Sequence, residues 1–184
     1  MNEMQKIDEL FGILESKDDK IRYNAFKELL EITHRNVSWV YDKWDILIDK
    51  LASDNSYQRS IGLMLLANLS KSDSENKVSS VLNNFFEHFN DEKFITSRQC
   101  IQNVWKTAIY NDYNRKKVIG ELEKTYYDNI HLNKHGNLIK QDVVMSLNQI
   151  YLHTNEIAIQ DMVNDLIDNE IDEKLKKSLK KIIK

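Results

Sequence analysis

Five histidines and one cysteine are the side chains here most suited to metal, acid–base or nucleophilic work, so their spacing is the first thing to weigh. The histidines stand in the contexts THRN, EHFN, IHLN, KHGN and LHTN. His131 and His135 alone have the i, i+4 spacing that sets two imidazoles on one helical face for a metal ion. Gly136 follows at once, so the pair is expected to straddle a helix end, and no metal site is expected. Cys100 has a cation, Arg98, two residues before it, which could lower a thiol pKa. It lies in a helical segment, however, where a small buried packing residue is the expected meaning. No glycine-rich phosphate loop and no G-x-S-x-G elbow occurs. The expectation is a protein that is not an enzyme and needs no cofactor.

Composition narrows the class. With 184 residues, 41% hydrophobic and 30% charged, the chain has material for about one domain with a real core, and residues 1–184 are expected to form a single one. The longest apolar run, IGLMLLA, is far short of the ~20 residues that span a membrane. An acidic start and a lone cysteine point to a cytoplasmic protein in a reducing compartment. A formal charge of −3 supplies no global field to draw nucleic acid or an anionic membrane.

The elements that must position any site are helices. The chain has no proline and four glycines, where average usage gives roughly nine prolines and β-rich folds need both residues for turns. Apolar residues recur at helical spacing, as in Ile7, Leu10, Phe11 and Leu14, or Ile101, Val104, Trp105, Ala108 and Ile109. Clusters of Asp and Asn mark turns: SKDD, ASDN, NDEK, NLIKQD after NKHG, and DNEIDEK. The chain also repeats itself. DDKIRYNAFKELLEIT and DNSYQRSIGLMLLANLS share an acidic turn, an arginine (Arg22, Arg59), a small residue three on (Ala25, Gly62) and a leucine four beyond that (Leu29, Leu66). Looser copies align at Arg98, with Ile101 and Trp105, at Gln141, with Val144 and Leu147, and at Leu175, with Ser178 and Leu179. Such a period implies stacked helix pairs that share a core no single pair could close. The small residues would let paired helices approach closely. IGLMLLANL, apolar nearly all round, belongs mid-stack. The last helix, with Leu175, Leu179, Ile182 and Ile183 on one side and lysines on the rest, reads as a solvated cap.

The acidic turn, arginine, small residue and leucine opening a second helix resemble the HEAT repeats of armadillo-type proteins, over nearly the whole chain as about five helical hairpins. The resemblance implies an all-α, right-handed α-α superhelix, a solenoid whose second helices line a concave face. The proline kink common in HEAT first helices is missing. No His-Glu dyad occurs, which departs from the metal-binding HEAT hydroxylases. On such a face the positions left after core assignment are Gln99, Gln102, Asn103 and Lys106 on one second helix and Asp142, Ser146 and Gln149 on the next, expected to hold a protein or peptide partner. An enzymatic alternative is also built from HEAT-like repeats: alkylpurine DNA glycosylases, in which an Asp beside aromatic side chains stabilises the cationic sugar formed as the N-glycosidic bond breaks. SWVYDKWDILIDK resembles that site through Trp39, Trp44 and Asp45, although Asp49 follows Asp45 later than that family's second Asp does. A DNA partner needs a row of Arg and Lys along one face, and the second helices offer a mixed lining, so nucleic acid is not the expected partner.

Overall fold

Every regular element among the described residues is a helix, as a chain without proline and with few glycines should give. The computed structural model describes residues 2–128 and 134–183, and no strand occurs among them. The chain divides into two compact units, Met1–Glu75 and Asn76–Lys184. The first contains α1 (Glu3–Ile13), α2 (Asp19–Ile32), α3 (Trp44–Leu51) and α4 (Ser56–Leu69). The second contains α5 (Val78–His88), α6 (Phe94–Asn103), α7 (Trp105–Ala108), α8 (Asp112–Asp128), α9 (Lys134–Thr154), α10 (Ile157–Asp168) and α11 (Glu173–Ile182). None of these helices is long and apolar enough to cross a membrane.

In each unit, helices pair as hairpins and alternate helices lie side by side. In the first, Asp8 meets Lys43 and Glu15 meets Lys50, each 35 residues on, so α1 and α3 run parallel. Arg22 lies over the Tyr57 ring at one end of α2 and α4, and the Asn68 amide donates to Thr33 Oγ1 (3.0 Å) at the other. In the second, Arg98 meets Asp142 and Trp105 meets His153, which sets α6 and α7 parallel to α9. Asn137 to Asp172 and Gln141 to Ser178 continue the row to α11. Arg115 to Glu156 and Tyr126 to the Leu166 carbonyl run α8 along α10. Residues 35 to 45 positions apart in the sequence thus lie side by side in space.

Burial supplies the adhesion. Ile7, Leu10, Phe11 and Leu14 are buried, as are Ile101, Val104 and Ala108, and a fully buried Leu or Ile contributes roughly 1.5–3 kcal/mol. Most of α4 is buried on every side. Gly62 explains how α3 comes so close to it: a Cβ there would lie 2.9 Å from the Leu47 carbonyl oxygen and 3.1 Å from Lys50 Cβ. The segment NLIKQD, expected as a turn, lies inside α9 with Ile139 and Lys140 buried. Its asparagine and aspartate are satisfied by Asp172 and Arg98, so they have no need to bend the backbone. Where the chain does require a left-handed residue, Asn76 and Asn155 (both φ 56°) serve in place of glycine.

Four helix starts share one device. Asp18, Asn55, Asn111 and Asp172 each accept a hydrogen bond at their side-chain oxygen from the first turn of the helix that follows. Four residues on from each stands a cation: Arg22, Arg59, Arg115 and Lys176. Its backbone N–H closes the first helical turn on the cap's carbonyl. Its side chain points back toward the helix start and donates to a carbonyl in the preceding connection or helix end: Ser16 O (2.9 Å), Ser53 O (2.8 Å), Ala108 O (3.2 Å) and Asp168 O (2.6 Å). Arg98, aligned with Arg22 and Arg59 in the sequence, does none of this and reaches across to α9 instead. Arg115 is the true counterpart.

Charge-assisted bonds to carbonyls that would otherwise lose a partner are worth about 1.5–3 kcal/mol. Arg59→Met and Arg115→Met should each lower the urea unfolding free energy by about that amount. The exposed Arg35→Met should change it by less than about 0.5 kcal/mol. Equal effects of all three would remove the device from the account.

Candidate functional site

The expected lining residues converge on one seam between α6/α7 and α9. At its centre Asp142, 1% exposed, accepts from Arg98 through Nε (2.6 Å) and Nη2 (2.9 Å) and from the Gln102 amide (2.7 Å). The planar guanidinium fork fits a carboxylate bidentately. The bond from Asp142, and then its charge, push the Arg98 pKa up despite partial burial. Ser146, also buried, donates to the Ile101 carbonyl. This corrects the sequence expectation: Asp142 and Ser146 do not line a surface but fasten two helices beneath it. A residue count assigns their positions to a polar face. The small side chains and an inward-reaching arginine let the backbones meet there.

Above this clasp the remaining candidates stay half-exposed. Asn103 donates to the Gln99 carbonyl (2.8 Å), and Lys106 Nζ reaches Asn103 Oδ1 (2.6 Å). Gln99 and Gln149 make no side-chain hydrogen bond among the described residues. Sequence reasoning placed Trp105 in the core stripe, yet its indole is half-exposed, stacked on His153 at 4.8 Å with a 32° tilt, and has Lys106 near its face at 5.7 Å. Because the Gln149 carbonyl can only accept, His153 Nδ1 carries the proton in their 2.8 Å bond, which leaves Nε2 available. At the other end of the seam His135 meets the Phe94 ring edge-on at 4.6 Å. His131, its sequence partner as a metal ligand, lies outside the described residues. Among those described, no group of His, Cys, Asp and Glu gathers with metal-site geometry.

The glycosylase-like residues are not assembled at a surface. Trp39 (1% exposed) and Trp44 are buried, Trp39 edge-on to Phe11 at 6.1 Å, whereas Asp45 is exposed in the first turn of α3. Neither indole offers a face to an incoming base. Cys100 is inert by environment: burial, then the charge of Asp91, raise its pKa well above that of a free thiol, and the thiol donates to the Phe85 carbonyl.

A second buried polar cluster escaped the sequence entirely. Glu170, between α10 and α11, accepts from Lys140 Nζ (2.8 Å) and the Tyr126 hydroxyl (2.8 Å) and binds the Asp172 N–H (3.0 Å). Lys140 and Glu170 side chains are 3% and 2% exposed, so the trio has the groups for proton transfer but no solvent face for a substrate. Its work is to fasten α8, α9 and the start of α11. Burial, the largest single influence, would raise the Glu170 carboxyl. The bonds from Lys140, the Asp172 amide and Tyr126, with the charge of Lys140, outweigh it and hold the carboxyl below its ordinary range.

No known protein-family pattern matches the chain, and no curated protein matches it.

Two results follow from the buried trio. Lys140→Met strands a buried carboxylate and should cost about 3–5 kcal/mol, while Lys140→Met with Glu170→Leu should recover most of that loss. Because the Glu170 pKa is depressed on folding, its contribution is complete above the unfolded value of about 4.3 and is lost as pH falls through the folded value. Urea unfolding between about pH 6 and pH 3 should thus be less acid-sensitive in the double variant than in the wild type. No difference in acid sensitivity would contradict this assignment.

Proposed function

We propose that this chain is a non-catalytic HEAT-type repeat module, an α-solenoid that binds a protein or peptide partner through the α6/α7–α9 surface. The observation that carries the reading is Trp105. A half-exposed tryptophan is a costly thing to leave in water, and tryptophans dominate the residues that anchor protein–protein contacts. Here it stacks on His153 with Lys106 near its face, and Gln99, Asn103 and Gln149 stand half-exposed on the same helices. The Arg98–Asp142–Gln102 clasp below keeps the two helices from moving relative to each other, so binding orders little that is not already ordered.

Amide side chains both donate and accept, which suits the backbone of a bound peptide better than a row of phosphates. A nucleic-acid reading requires several cations along one face, whereas on this seam Lys106 is bonded to Asn103 and Arg98 to Asp142. Side-by-side pairs stand 35 to 45 residues apart in the sequence, an interval within the range of helix-pair repeats, which supports the repeat assignment.

Affinity capture from a lysate of the source organism tests the reading, with wild type, Trp105→Ala and Lys106→Glu as baits. A protein retained by the wild type after nuclease treatment should bind each variant at least tenfold more weakly, and Lys106→Glu should keep the wild-type melting temperature. Capture that needs intact nucleic acid, or that ignores both substitutions, would overturn it.

A further inference from the structure

The hairpin of α10 and α11 carries two charge stripes of opposite sign and equal length. On α10, Asp161, Asp165 and Asp168 are exposed at i, i+4 and i+7. On α11, Lys174, Lys177 and Lys181 are exposed at i, i+3 and i+7. Each stripe therefore extends over about 10 Å of helix. The two are neighbours: Lys180 Nζ pairs with Asp168 at 3.1 Å, and Lys176 reaches the Asp168 carbonyl. Lysines in a last helical turn are explained by the macrodipole, but Lys174 stands in the first turn, where a cation opposes it. Aligned like charges at these spacings also cost a few tenths of a kcal/mol per pair. Nothing inside the fold uses Asp161, Asp165, Lys174, Lys177 or Lys181 among the described residues.

We infer that this face pairs with a second copy of the same chain. A two-fold axis parallel to the helices sets α10 of one copy over α11 of the other in antiparallel orientation. Asp161 then faces the other copy's Lys181, Asp165 its Lys177 and Asp168 its Lys174, and every pairing occurs twice. This is the self-complementarity that an isologous contact requires. The same operation brings both copies of Ile171, 80% exposed at the hairpin tip, to one end of the contact as its apolar element. A partner with only acidic or only basic groups would satisfy one stripe and repel the other. The face is about 18 Å long and two helices wide, on the order of 350 Å² per copy, well under a standard interface. The pair is accordingly weak and sensitive to salt, since its charges lie at the surface.

Sedimentation equilibrium of the full chain at about 0.02 M and about 0.5 M NaCl tests the inference. The wild type should approach twice the monomer mass at low salt and the monomer mass at high salt. Lys174→Glu/Lys177→Glu/Lys181→Glu and Asp161→Lys/Asp165→Lys/Asp168→Lys should each be monomeric in both, with unchanged helical circular dichroism. Mixed one to one at low salt, the two variants should pair, because one then carries two acidic stripes and the other two basic ones. As milder variants, Asp165→Cys mixed with Lys177→Cys should form a disulfide-linked pair under gentle oxidation. A wild type that stays monomeric at low salt up to about 1 mM, an association that survives either charge reversal, a particle larger than two copies, or absence of the mixed disulfide would each overturn it.

Discussion

The fold depends on getting from one helix to the next through short turns without proline and almost without glycine. An Asp or Asn cap with a cation four residues later meets that need at Asp18–Arg22, Asn55–Arg59, Asn111–Arg115 and Asp172–Lys176. The cap satisfies amide donors of the new helix. The cation answers carbonyls left by the old one and sits favourably at the negative end of its dipole. Since the same residue also closes the first backbone turn, the direction of the new helix and its attachment to the old one are set together. A hairpin fixed in this way can be repeated, and each unit repeats it with parallel neighbours.

Between neighbours the chain uses two kinds of fastening. Apolar stripes and close approach, as at Gly62, supply most of the stability. Buried polar clusters supply register: Asp142 with Arg98 and Gln102, and Glu170 with Lys140 and Tyr126, each tie particular positions of different helices. Sliding α9 by one turn would strand a carboxylate in each case, at a cost of several kcal/mol. The α6/α7–α9 surface inherits its rigidity from that constraint, and a rigid surface with a tryptophan on it is suited to recognition.

Much of the fold was legible because helical periodicity and turn residues are local signals. The stripe Ile7–Leu14, the buried members Ile101, Val104 and Ala108 of the stripe that runs to Ile109, and the close approach at Gly62 could all be read from spacing. Side-chain reach was not. Arg98 and Arg59 look alike in sequence, yet one crosses to α9 and the other turns back on its own loop, because only Arg59 follows an Asn cap at the right distance. Applied strictly, cap-plus-four would have found Arg115 and Lys176. Asp142 and Ser146 looked like surface residues since partners 40 or more positions away are invisible to a periodic pattern. Trp105 looked like core because its apolar spacing says nothing of the break between α6 and α7 at Val104, beyond which the indole is half-exposed.

The α6/α7–α9 surface is proposed to receive a protein. A photo-crosslinking amino acid in place of Gln149, whose side chain no internal bond requires, reads this directly in a lysate of the source organism. One discrete nuclease-resistant adduct is expected from position 149 and none from the same probe at Lys117, exposed on α8. Matching adducts from both positions, or an adduct at 149 that nuclease removes, would contradict it.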